Sequence, residues 1–256
     1  MNHITGQILG QSVNIDTLYF AWACMLASLL VVTFLAFNLS NETNKFNTRQ
    51  FLAESIFDFL RGVAKNQIGS RSDKFLFFLG SIFFFILFAY YAGLAPWKLG
   101  SAFSWWPMIP GEHGHSHPWH GASPCADINV TAGMAILVIT TYVASGIFVG
   151  GFSYFQIFLP INFDHGKIKL NFIFFIEILD LIVRPLTLSL RLFANTFAGE
   201  ILLSTFVVLC PLFIPSLALG FEAFVGVLQA FVFTMLAAVY IGAAIQHAEH
   251  AAHASH

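Results

Sequence analysis

The chain has 256 residues, 57% of them hydrophobic and 9% charged, with a formal net charge of −2 and a mean hydropathy of +0.76. A soluble domain carries about a quarter of its residues as charges, so this composition excludes one, and no nucleic-acid partner is expected. Apolar runs recur along the whole chain, each about as long as the ~20 residues with which an α-helix crosses a hydrocarbon core. The reading is an all-α integral membrane protein in which residues 1–256 form a single membrane domain with no soluble module.

In chain order, the N-terminus MNHITGQILG lacks a charged start, so no separate cleavable signal is expected, and residues 18–39 form the first span. RQFLAESIFDFLRGVAK follows, with Leu52, Ile56, Phe59, Leu60 and Val63 on one helical face and Glu54, Asp58, Arg61 and Lys65 mostly on the other. This predicts an amphipathic helix over 49–66 lying along the membrane surface. The second span, 75–95, contains FLFFLGSIFFFILF, apolar on every face where a barrel strand would alternate. Residues 96–127 read as a loop carrying His113, His115, His117 and His120, in which Cys125 should be open to a membrane-impermeant reagent. A third span covers 130–151. The last two runs, 170–210 and 212–245, are nearly twice as long as a perpendicular crossing requires, which predicts strong tilt.

The tail, 246–256, holds His247, His250, His253 and His256. Both histidine groups sit among Gly, Pro, Ala and Ser and read as solvated, so neither a metal site nor a cofactor is expected. Cys24, Cys125 and Cys210 are odd in number and far apart, which indicates neither a disulfide framework nor a CxxC motif. Lys45, Arg49, Arg61, Lys65, Arg71 and Lys74 lie between the first two spans, and Lys167 and Lys169 between the third and fourth. Basic loops mark the inner side, so five crossings place the N-terminus outside and the C-terminus inside.

Within the spans, polar residues are few and spaced. Glu177, Arg184 and Arg191 are seven apart, so each is displaced by only about 20° from the last, and Asn195 is about 40° round from Arg191. Glu200 falls about 180° from Arg191, so the two form no simple local pair. Glu222 and Gln229 are likewise seven apart, on a stripe that continues through Gly226, Phe233 and Tyr240. An Arg at mid-bilayer costs roughly 2.5–3.5 kcal/mol on insertion scales, which points to a functional role or a partner.

RPLTLSLRLFANTFAGEIL at 184–202, followed by LQAFVFTMLAAVYIG at 228–242, resembles subunit a of the F-type ATP synthase. ADINVT at 126–131 is similar to the start of that family's third crossing, and FLRGVAKNQIG and GLAPWK resemble its cyanobacterial and chloroplast branch. The resemblance covers nearly the whole chain. It implies a non-catalytic stator subunit facing the rotating c-ring, with proton translocation through Arg191, Asn195, Glu200, Glu222, Gln229 and Glu177, and with Arg184 and Asp127 supporting. Among these, Arg191 matches the family's essential arginine, Asn195, Glu200 and Gln229 the outer access path, and Glu177 the inner half-channel. Glu222 stands where the family varies between His, Glu and a small residue. The implied partners are the c-ring, the peripheral stalk of subunit b or of b and b′, the remaining subunits of the synthase and the lipid bilayer. The implied location is a bacterial inner membrane, or else the mitochondrial inner or thylakoid membrane. Two other classes stay open at this point: an autonomous ion-coupled transporter that binds an anionic substrate through Arg191, and a membrane redox subunit that uses the histidines.

Overall fold

The computed structural model describes residues 5–8, 11–39, 48–94, 108–110, 116–118, 123–150, 161–164, 167–170, 172–209 and 214–254. Its helices are α1 (Ile15–Leu39), α2 (Thr48–Ile68), α3 (Ser72–Leu94), α4 (Ile128–Gly150), α5 (Phe172–Leu209) and α6 (Ile214–Ala254). All but α2 are long and apolar enough to cross a membrane. The described strands are short antiparallel pairs outside these helices: Thr5–Ile8 with Gln11–Asn14, Met108–Pro110 with Ser116–Pro118, and Ile161–Asp164 with Lys167–Leu170. The protein is therefore an all-α membrane protein. At 1.5 Å per residue, the 38 residues of α5 and 41 of α6 extend for about 57 and 61 Å, against a core ~30 Å thick.

Local chemistry explains the breaks. Gly69 takes a φ of 77°, a left-handed conformation that costs glycine least, and so ends α2 three residues before α3 begins. Asp127 caps α4: its Oδ1 accepts from the backbone N–H of Asn129 at 2.9 Å and from that residue's side chain at 3.1 Å. Its Oδ2 accepts from Thr17 Oγ1 on α1 at 3.2 Å. Pro185 lies inside α5 and removes the hydrogen bond to the Leu181 carbonyl, and nearby Thr187 Oγ1 donates to the carbonyls of Val183 (2.9 Å) and Arg184 (3.0 Å).

The chain divides into two compact units, each with its own packing. The first comprises Met1–Ala36, Ser81–Thr131 and Leu192–Ala230; the second comprises Phe37–Gly80, Ala132–Arg191 and Phe231–His256. In the first, Ile86, Ala89, Tyr90, Thr131 and Ala230 are buried, and Ser123 Oγ donates to the Ala89 carbonyl at 3.0 Å. In the second, α2 buries Leu60, Ala64 and Ile68, a line at four-residue spacing. Gly242 of α6 lies against the Gln67 carbonyl so closely that any side chain would collide with it. The Phe59 and Phe231 rings stand 5.4 Å apart, and Arg71 pairs with Glu249 at 3.5 Å. One face of α2 is thus packed on protein, while Phe51 and Phe59 stay half exposed.

Two sequence expectations change. The segment from residue 246 continues as helix, because α6 runs on to Ala254; Ala248 is buried and Glu249 meets Arg71, while Gln246, His247 and Glu249 remain exposed. Cys125 is not open to reagents: it sits fully buried in the Pro124–Ala126 turn, and burial pushes its thiol pKa up, which depletes the reactive thiolate.

These placements are checkable by labelling in a chain whose other cysteines are replaced by alanine. An impermeant maleimide added from either face should leave Cys125 unmodified until the protein is denatured. Cysteines placed singly at the exposed Asn129 and Lys74 should label from opposite faces. Rapid labelling of native Cys125, or labelling of both introduced cysteines from one face, would contradict this arrangement.

Candidate functional site

Glu222, Gly226 and Gln229 follow one face of α6 at i, i+4 and i+7. That face is turned inward: Glu222 is 9% exposed and Gln229 7%. The Glu222 carboxylate rests against Gly199 on α5, where a β-carbon would overlap it, so the missing side chain is what lets the acid approach the helix. Glu200, the next residue, is half-buried.

Tyr90 of α3 was not singled out by sequence reasoning, because it stands in an unbroken apolar run with no spacing to mark it. In the structure it is 2% exposed, and its ring lies against Gly226, one turn beyond Glu222. The adjacent Tyr91 donates its hydroxyl to the Ala223 carbonyl of α6 at 3.3 Å. The first unit thereby gathers acids, a carboxamide and phenols on α3, α5 and α6.

Two amide nitrogens in this unit, Asn195 Nδ2 and Gln229 Nε2, are buried with no hydrogen-bond partner among the described residues. A buried donor in that state costs about 1–3 kcal/mol, and donors of this kind are what internal water molecules bind. Carboxylic acids, carboxamides and hydroxyls together can pass protons along such water by exchanging donor and acceptor roles.

Arg191 has the opposite environment. It is exposed, at the edge of an exposed α5 stripe that includes Leu186, Leu190, Ala194, Phe197, Ala198 and Ile201. Leu188, Leu192 and Thr196 are buried on the other side of the helix. A guanidinium stays protonated at physiological pH, so this largely apolar stripe carries a fixed positive charge, with Ala194 and Ala198 beside it on the C-terminal side.

The other site residues from the sequence separate. Arg184, expected on the same stripe as Arg191, is tucked between the Tyr142 and Tyr240 rings and pairs with Asp180. Asp127 works as the α4 cap and α1 tether, a structural part. Glu177 belongs to α5, and its side chain lies outside the described residues. Among the described residues no three His, Cys, Asp or Glu side chains converge on a metal-sized space, and most of the histidines are not among those described.

The family model of the ATP synthase A chain matches residues 19–242. ATP synthase subunit a of Gloeobacter violaceus is 30% identical to this chain over 250 residues, an alignment that covers 97% of this chain and 91% of the relative.

The two glycine contacts predict unequal sensitivities. Gly226→Ala meets the Tyr90 ring, which is buried and has nowhere to retreat, and should destabilise the protein by about 1–3 kcal/mol. Gly199→Ala meets the flexible end of Glu222 and should cost clearly less. Thermal denaturation of the detergent-solubilised protein compares them; an equal or larger loss at Gly199 would contradict the packing described.

Proposed function

The chain belongs to the ATP synthase A chain family, and from that premise we propose that it is the non-catalytic, proton-translocating stator subunit of the synthase's membrane sector. It works against a rotating c-ring, held by a peripheral stalk of subunit b or of b and b′, in a bacterial inner membrane or its organellar counterpart. Its long helices α5 and α6 are tilted in the bilayer and carry two offset half-channels.

The observation that carries this reading is the exposure of Arg191 beside an apolar stretch of α5 that includes Leu190, Ala194 and Ala198, while Glu222 and Gln229 are buried. A permanent cation facing outward from a membrane helix suits an anion that comes to meet it. Carboxylates on a rotor are such anions. As each arrives, the guanidinium favours its charged form, so the proton leaves into one half-channel, and the site is reprotonated from the other. Arg191 itself carries no proton across, because a guanidinium stays protonated at physiological pH.

Asn195, Glu200, Glu222 and Gln229 form the outer access path in this reading. Buried acids alternating with carboxamides hold water and move protons from the outer face toward the rotor. Glu177 serves the inner half-channel, with Arg184 and Asp127 supporting the helices around the path. Each charge that crosses delivers about 2.3 kcal/mol per 100 mV of membrane potential. ATP chemistry takes place on other subunits.

Arg191→Ala should abolish ATP synthesis and ATP-driven proton pumping in inverted vesicles, while the complex assembles and its soluble head still hydrolyses ATP. Arg191→Lys should also fail in large part, because an ammonium lacks the planar fork and loses its proton more readily when desolvated. Robust coupled synthesis by the alanine variant would end this reading.

A second measurement tests the access path. Glu222→Gln and Glu200→Gln should each slow proton flux without loss of assembly, and the double variant should cost less than the sum because both act on one path. Wild-type flux in both single variants would make these acids structural.

A further inference from the structure

Arg184 is gripped where Arg191 is free to project. Its guanidinium carbon stands 5.2 Å from the centre of the Tyr142 ring on α4 and 5.1 Å from that of Tyr240 on α6. It also pairs with Asp180, one turn back on α5. Three helices of the second unit therefore meet on one side chain. One guanidinium nitrogen, Nη1, is buried with no hydrogen-bond partner among the described residues, so aromatic faces rather than hydrogen bonds hold that edge.

The grip falls beside a proline inside α5. Pro185 follows immediately and removes a rung of the helix ladder. A cavity of about 10 Å³, room for a single water, opens beside it between Ala135, Val138 and Leu188. A proline next to a small void leaves the segment free to turn unless something else fixes it.

Arg191 is sensitive to such a turn. It lies seven residues beyond Arg184, about 10 Å along the axis and only about 20° round. It also stands at the boundary between exposed Leu190 and Ala194 and buried Leu188 and Leu192, so a rotation of a few tens of degrees decides whether it faces outward or into the protein.

We propose that Tyr142 and Tyr240, acting through Arg184, are positioning residues that set the rotation of α5 and so aim Arg191. They touch neither the translocated proton nor the rotor. The proposal rests on the reading of Arg191 as the gate, and it predicts that ring faces matter while phenol oxygens do not.

The test uses inverted vesicles carrying the whole assembly, with pumping measured per assembled complex. A second readout is the disulfide yield of a Val138→Cys, Leu188→Cys pair, two positions that line the same cavity. Tyr142→Leu and Tyr240→Leu should each lower pumping about three- to tenfold and reduce the cross-link, whereas Tyr142→Phe and Tyr240→Phe should keep more than half of both. Should a leucine variant fail to assemble, Arg184→Lys gives the same comparison, since it keeps the charge but loses the flat stacking surface, and it should pump poorly. Leucine variants with unchanged pumping and cross-linking, phenylalanine variants as impaired as leucine ones, or normal pumping by Arg184→Lys would each overturn the clamp. Normal pumping by Arg191→Ala would instead remove the gate reading, so the two failures are distinguishable.

Discussion

An unpaired polar atom in hydrocarbon costs several kcal/mol, and the long helices are arranged around the few such atoms they carry. The polar face of α6 is turned inward, so Glu222 and Gln229 lie among protein rather than lipid. Hydroxyls on α1, α4 and α5 bond back to carbonyls of their own helices, as Thr33, Thr140, Thr141 and Thr205 do. The cap on α4 satisfies the N–H of Asn129 with a side chain that a second helix also reaches. Arg191 departs from this pattern, and that departure is what makes it informative.

Close approach between helices depends on missing side chains. Lipid tails are as apolar as leucine, so the hydrophobic effect does not press membrane helices together, and small residues at the contact must let backbones approach. Along α6 the buried positions include Gly226, Ala230, Ala237, Ala238, Gly242, Ala244 and Ala248. Two of these contacts receive something large: the Tyr90 ring at Gly226 and the end of α2 at Gly242. The same device at Gly199 admits a carboxylate, so one packing rule serves both stability and chemistry.

The spans were legible because a run of some twenty apolar residues has few other uses, and the α6 face of Glu222 and Gln229 because spacing alone puts two polar residues on one stripe. What could not be read were properties that depend on distant partners. That α6 continues past residue 245 depends on the burial of Ala248 and on Arg71, far away in sequence, meeting Glu249. Cys125 looks like loop until Ser123 is seen bonded to α3. The grip on Arg184 needs Tyr142 and Tyr240, neither of which is marked by its neighbours. Arg184 and Arg191 share a stripe by arithmetic, yet two aromatic rings give one of them a different environment.

The tether from Thr17 to Asp127 joins residues 110 positions apart. During synthesis at about 5–20 residues per second, roughly 5–20 seconds separate the emergence of its two ends. For that interval α1 has no cap on α4 to hold it and must persist in the bilayer as an independent helix, its exposed Trp22, Leu26 and Leu30 solvated by lipid. Its apolar composition is therefore a requirement of biogenesis as much as of the finished fold, and the tether forms late, only once the start of the third apolar segment has been made.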